Sequence, residues 1–327
     1  MHSKPLLSSL LSSPLAHRRT SEQAATSKLS RQAHTLEDMR SLLSQLASTA
    51  PTFLLFLKNV ENIEIYDWPS FSDSPILSHT TSITTSRALR TRRSFVLSAS
   101  LSRTPQANDY AMEIISSTPA TEPVKQTWVV CNQLGGGRAT VMANDPALSH
   151  MKLIPWSGVA ALLPSPSTLP LTNGQAYCFL PLPVSTGLPV HVNGYFELSS
   201  NRRDVWWGDD MAGDGRARAE WNHALIHDIA APSYARLVEQ TVQKYPEYYE
   251  KLFPTADPAM KPLSQLWEIL LDAFYEHVKN LPVLYSASTD KWVAPSDAVL
   301  ASDPSDTPLL SILSVEVSIS TGTLPTL

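Results

Sequence analysis

Apolar residues recur at helical spacing over residues 35–48, TLEDMRSLLSQLAS, where Leu36, Met39, Leu43 and Leu46 share one face. Thr35 and Asp38 open this helix as a weak capping box, each side chain placed to accept the other's backbone N–H. Residues 53–68, FLLFLKNVENIEIYDW, read as a buried strand, a turn and an alternating strand, with Ile63 and Ile65 on one face and Glu64 and Tyr66 on the other. Further strands are predicted at QTWVVCNQ, 126–133, and SGVAALL, 157–163. AYCFLPLPV, 176–184, and PVHVNGYFEL, 189–198, predict a hairpin turning at 185–188, and Pro181 and Pro183 place its first strand at a sheet edge. In its second strand Val190, Val192, Phe196 and Leu198 take the buried face, and His191, Asn193 and Tyr195 the polar one. Over 217–244 the apolar positions Trp221, Leu225, Ile229, Leu237, Val238 and Val242 are helical, and Pro232 predicts two helices or one kinked helix. The cleanest stripe is Leu263, Leu266, Trp267, Leu270, Phe274 and Val278 within 262–280. KWVAPSDAVL, 291–300, reads as a strand and a turn.

Residues 69–124 break this pattern with Ser, Thr and Pro and carry Arg87, Arg90, Arg92 and Arg93. SFVLSASL, 94–101, is a candidate strand there; the rest predicts a long linker with a solvated basic cluster. The pattern therefore divides into 1–68, the linker 69–124, an α/β (α+β) region 125–300 with a mixed sheet followed by helices, and an irregular tail 301–327. A hydrophobic content of 43% over 327 residues supports one large core or two smaller ones. A net charge of -5 argues against a general nucleic-acid binder. No apolar run approaches the ~20 residues of a membrane span. Cys131 and Cys178 lie in apolar strand-like settings and read as thiols of a reducing compartment. The first 21 residues contain Lys4, Arg18 and Arg19, many serines and no acid, so a mitochondrial location is the alternative to a cytoplasmic one.

Few motifs carry chemistry. GGGR, 135–138, lacks the Lys-Ser/Thr that a phosphate loop needs and reads as a turn. His223 and His227 have zinc spacing, but no Glu follows the first and no third ligand is evident, so no metal site is assigned. GDDMAGDGRARAE does not follow the calcium-loop order of ligands. There is no G-x-S-x-G elbow, and no Cys/His/Asn set can be assembled, so no residue is assigned to catalysis. His191 reads as a structural histidine. Arg202 and Arg203 follow a loop, SSN, and present the planar fork suited to phosphate or carboxylate; the structural alternative pairs them with Asp204 and Asp209. Asn193 and Gly194 permit a bulge or a close backbone approach, and Trp206 and Trp207 are anchors for a core or a contact surface.

GQAYCFLPLPVSTGLPVHVNGYFELSSNRRDVWWGDDMAGDGRARAEWNHALIHDIAAPSY, 174–234, resembles the repeat unit of the sacsin-like family. PLAHRRTSEQAATSKLS, 14–30, and LLFLKNVENIEIY, 54–66, resemble the end of that unit's ATPase-like domain, and FYEHVKNLPVLYSASTDKWVAPSDAVL, 274–300, is similar to a segment further on. The resemblance implies a repeat akin to the ninety-kilodalton heat-shock chaperone, with a GHKL-type nucleotide-binding domain followed by an α/β region. It also implies chaperone work in protein quality control, with client proteins or other chaperones, including the seventy-kilodalton one, as partners, and no nucleic acid or membrane. On this reading 1–68 is the C-terminal remnant of the ATPase-like domain. The Glu/Asn helix, the Asp-glycine motif and the glycine-rich lid of such a domain are not found in the sequence. The expectation is a non-catalytic fragment that takes ATP and magnesium only as part of a complete unit. Arg202 or Arg203 would then reach the γ-phosphate of a nucleotide held elsewhere; in the milder alternative they and the hairpin, with Asn193, Gly194, Trp206 and Trp207 as structural or contact residues, form an interdomain contact. The alternatives are an ATP-dependent chaperone whose nucleotide domain lies outside this chain, and a regulatory scaffold with no folding role.

Overall fold

The computed structural model describes residues 35–68, 73–94, 104–166, 168–208, 213–254, 264–286, 289–300 and 317–318. The expectations for the first 21 residues, for most of 94–101, for 209–212, for Leu263 and for most of the tail lie outside them. The chain divides into two compact units, one up to Gln45 and one from Leu46. In the first unit the described residues are the opening turns of helix α1 (Leu36–Phe56). The Thr35 N–H donates to Asp38 Oδ2 at 2.9 Å and the Asp38 N–H to Thr35 Oγ1 at 3.1 Å, the reciprocal cap that the sequence suggested.

The second unit is built on an eight-stranded mixed sheet in the order β1-β2-β3-β4-β5-β8-β6-β7. The strands are β1 (Asn62–Asp67), β2 (Ile76–Ile83), β3 (Gln106–Thr118), β4 (Thr121–Leu134), β5 (Trp156–Leu163), β6 (Gln175–Cys178), β7 (Leu180–Ser185) and β8 (His191–Gly194). Every neighbouring pair is antiparallel except β6 and β8. Both faces are covered. Alternate residues of β4 divide between two cores: Val129 and Cys131 join one with Val159 and Val192, while Trp128 and Val130 join the other with Leu54, Phe56, Met112 and Tyr177. The first core is closed by helices α4 (Gly215–Leu225), α5 (Ala231–Lys244) and α7 (Gln265–Val278), with the short helices α3 (Gly137–Ala143) and α6 (Tyr249–Leu252) beside them. Tyr234 stacks on Phe274 at 4.3 Å, and its hydroxyl donates to the Leu252 carbonyl at 2.6 Å. A π-turn, Ile226–Ala230, joins α4 to α5, so the chain stays helical up to Pro232, which sits in the first turn of α5 where its missing N–H is harmless. Two small sheets follow, β9 (Leu284–Ser286) with β10 (Lys291–Val293), and β11 (Val299–Leu300) with β12 (Val317–Ser318). The last pair puts a strand in a tail expected to be irregular throughout.

Three expectations are corrected. Residues 53–56 are the last turn of α1, not a strand; an unbroken apolar run carries no period to separate the two. Residues 69–124 are not a linker, since they supply β2, β3 and helix α2 (Arg87–Arg93). Their Thr residues favour strands and their Ser residues pair across them: Thr81 is fully buried in β2 and shares a 3.0 Å bond with Ser116 of β3. The 176–198 hairpin does not form as drawn. β6 and β7 make the tight hairpin about Phe179, which takes φ 63°, and β8 returns between β5 and β6, parallel to β6. Gly174 permits this return, because a Cβ there would stand 1.7 Å from the Val190 carbonyl oxygen. β7 lies at the sheet edge, where Pro181 and Pro183 belong.

Candidate functional site

The segment from β8 to α4 divides into a buried part and an exposed one. His191 and Asn193, expected on a polar face, are both buried, because this sheet has no solvent face at β8. His191 Nδ1 accepts the Gln175 N–H at 3.0 Å, and the ring lies 5.3 Å from Trp128 and 5.2 Å from Tyr177. Burial pushes its pKa down to about 4, so the imidazole is neutral. Its Nε2 has no partner among the described residues. Asn193 Oδ1 accepts the Phe179 N–H at 2.8 Å and so pins the β6–β7 turn. Of the two things Gly194 permits, a bulge does not form, since β8 pairs with β5 in unbroken register, and close approach does, its Cβ position lying 3.0 Å from Leu225 of α4.

Arg202 and Arg203 project from an exposed turn between Leu198 and Val205, which pair across its base. The Arg202 N–H donates to the Ser199 carbonyl at 2.8 Å, with φ 55°, and the Arg203 N–H donates to Asn201 Oδ1 at 2.9 Å. Neither side chain forms an ion pair with a described residue, Asp204 included. Asn222 ties the stem of this turn to α4: it donates to the carbonyls of Glu197 (2.8 Å) and Trp206 (2.9 Å) and accepts the Glu197 N–H (2.9 Å). The two tryptophans separate in role. Trp206 is half-buried and donates to the Gly215 carbonyl at 3.0 Å, with the Arg218 guanidinium 5.7 Å over its ring. Trp207 is 38% exposed and borders an open cavity of about 330 Å³ with Arg138, His223 and Gln265.

The GGGR loop is a docking point for the π-turn. Asp228 Oδ2 accepts the N–H groups of Arg138 (2.6 Å) and Ala139 (3.2 Å), and Gln133 Nε2 donates to the Asp228 carbonyl at 3.3 Å. A Cβ on Gly137, where φ is 40°, would stand 2.6 Å from the Asp228 carboxyl group. The glycines are there so that a carboxylate of this chain can enter. His223 and His227 stack at 5.9 Å, and His227 Nδ1 lies 2.8 Å from Asp228 Oδ1. Among the described residues no three metal-capable side chains gather, and no helix is long and apolar enough to cross a membrane. Both cysteines are free, and burial pushes the Cys131 thiol up to about 12.

A second cluster was passed over in the sequence. Arg93, expected in a solvated basic patch, is 4% exposed. Its Nη2 donates to the carbonyls of Leu54 and Val60, each at 3.1 Å, and of Leu57, closing the C-terminal end of α1. Its Nη1 is buried without a partner among the described residues, as is Trp156 Nε1. Trp156 stacks on Phe179 at 5.6 Å, and the Lys58 ammonium lies 5.0 Å from the Trp156 ring and 5.5 Å from Phe179. Lys58 is half-buried, and desolvation lowers its pKa to about 8. Lys58, Arg93, Trp156, Tyr110 and Asn132 line one cavity of about 10 Å³. The available clue was Lys58 itself, a cation directly after the apolar run FLLFL.

Fold and surface together define a mixed α/β protein that presents an arginine-bearing turn, an exposed tryptophan beside an open cavity and a cation-lined niche. Its sequence is 29% identical to human sacsin over 296 residues, which amount to 82% of this chain and 6% of sacsin. The chain is sacsin-like over that span, as its repeat motif suggested. No family model matches it, and no solved structure matches it. The view of 1–68 as the end of a GHKL-type domain rests on the resemblance alone.

Proposed function

We propose that the chain is a non-catalytic portion of a sacsin-like, chaperone-type protein and binds polypeptide partners, either clients or other chaperones. The observation that carries this reading is the similarity to human sacsin across 82% of the chain. Exposed Trp207 beside its cavity supplies an aromatic contact of the kind that anchors polypeptide interfaces. A free, deeply buried Cys131 suits a reducing compartment, and we place the protein in the cytoplasm. The test is light scattering from a heat-denatured enzyme in the presence of the full chain. Slower aggregation in the presence of wild-type chain, and less slowing with Trp207→Ala, is the expected result. No suppression at a large molar excess would leave the scaffold reading in its place.

A second reading concerns Arg202 and Arg203. Their exposure on a backbone-braced turn, without described ion pairs, favours contact with an external anion such as the phosphate of a nucleotide bound elsewhere. Alanine at both positions should slow ATP turnover of a complete unit containing this segment. Unchanged turnover would remove the reading.

A further inference from the structure

The niche beneath Lys58 has the composition of a binding site rather than of a core. Two cations reach it, and among the described residues its lining includes no carboxylate. The carboxylate that acts on Arg93 through space, Glu61, is already held by Arg90, Nε to Oε1 at 2.8 Å and Nη2 to Oε2 at 2.9 Å. Buried N–H groups in folded proteins are nearly always paired, and one left unpaired is destabilising. Here two donors, Arg93 Nη1 and Trp156 Nε1, are buried without a partner among the described residues, on residues 4% and 3% exposed, and both residues line the same niche. The third donor, the Lys58 ammonium, rests on aromatic rings and has no carboxylate partner among the described residues. The polar groups that complete the lining are the Tyr110 hydroxyl and the Asn132 side chain.

We infer that this niche binds a carboxylate, with Lys58, Arg93 and Trp156 as its donors. The guanidinium offers Nη1, since its Nη2 is taken by three carbonyls, the indole N–H supplies a fixed neutral donor, and the ammonium closes the mouth. About 10 Å³ of free space holds one oxygen-sized group, so a single carboxylate oxygen enters and the rest of the ligand stays at the mouth. A free small acid and the C-terminal carboxylate of a peptide share this chemistry.

The test titrates acetate into the full chain and follows the Trp156 indole N–H resonance, assigned by its loss in Trp156→Phe. A four-atom ligand has a low affinity ceiling, so saturation is expected at about millimolar acetate. Lys58→Met should weaken binding by about tenfold, the effect of losing one charge-assisted hydrogen bond. Trp156→Phe keeps the ring stack and should weaken binding, read by calorimetry, about threefold. A short peptide with a free C-terminus, compared with its C-terminal amide, separates the two sources: preference for the free peptide over acetate assigns a peptide end, and preference for acetate assigns a small acid. A Trp156 resonance that does not respond to acetate in the wild-type chain overturns the inference. So does tighter binding of phosphate than of acetate, or acetate binding that both variants retain at wild-type strength.

Discussion

Gly137→Ala separates backbone strain from the docking of Asp228 and gives each a magnitude. Gly137 has φ 40°, and a Cβ there would lie 2.6 Å from the Asp228 carboxyl carbon and from Oδ2. Left-handed backbone on a residue with a Cβ costs about 1–2 kcal/mol. The clash also forces the carboxylate away from the N–H groups of Arg138 and Ala139, which it meets at 2.6 and 3.2 Å. Charge-assisted bonds of this kind are worth about 1.5–3 kcal/mol each when measured singly. Both end on one oxygen, so their joint loss is nearer ~2–3 kcal/mol. Gly137→Ala should therefore cost ~3–5 kcal/mol, and Asp228→Ala, which removes the same bonds without strain, ~2–3 kcal/mol. With Asp228 truncated the three nearest contacts of the new Cβ are gone, and Gly137→Ala should then cost mainly the strain, about 1–2 kcal/mol. Urea denaturation of the four proteins closes the cycle, with an expected coupling of about 2–3 kcal/mol. Equal costs of Gly137→Ala in both backgrounds would refute the docking account and return the loop to a plain turn.

Two further predictions follow from buried polar groups. His191 has a folded-state pKa near 4, below its ordinary 6.5, so the unfolded chain binds more protons between these values and stability falls as pH drops from about 6.5 towards 4. The depression corresponds to about 3 kcal/mol when fully lost, and His191→Gln should flatten that limb of a melting-temperature–pH profile; an unchanged limb would assign it to other groups. Asn222→Ala removes three bonds between α4 and the stem of the Arg202 turn. It should destabilise the protein by ~2–4 kcal/mol and speed amide exchange at Glu197 and Trp206 first; uniform exchange would show that Asn222 is not the local tie.

What the sequence made legible was apolar patterning. α7 carries a helical repeat and β4 and β5 carry short apolar runs; α7 and β5 end within three residues of the expected bounds, and β4 begins five residues before its expected start at 126. Pairing was not legible. Alternation says which residues of β8 share a face, but not that β8 inserts between β5 and β6, nor that helices cover both faces and bury His191 and Asn193. In 69–124 the Ser and Thr content outweighed the alternation of Tyr110, Met112 and Ile114, which places three buried side chains on one face of β3. The arginine turn and Trp207 were visible because exposed cations and aromatics stand out against a strand. Arg93 was not, because its burial depends on where α1 ends in space, 33 to 39 residues away in sequence.

The central claim, that this sacsin-like chain binds polypeptides without turning over a substrate, is tested most directly by fluorescence anisotropy of a labelled, permanently unfolded polypeptide titrated with the full chain in the absence of nucleotide. The account predicts saturable binding that Trp207→Ala weakens while the melting temperature stays unchanged. Binding that requires ATP, or no rise in anisotropy at any chain concentration, would contradict it.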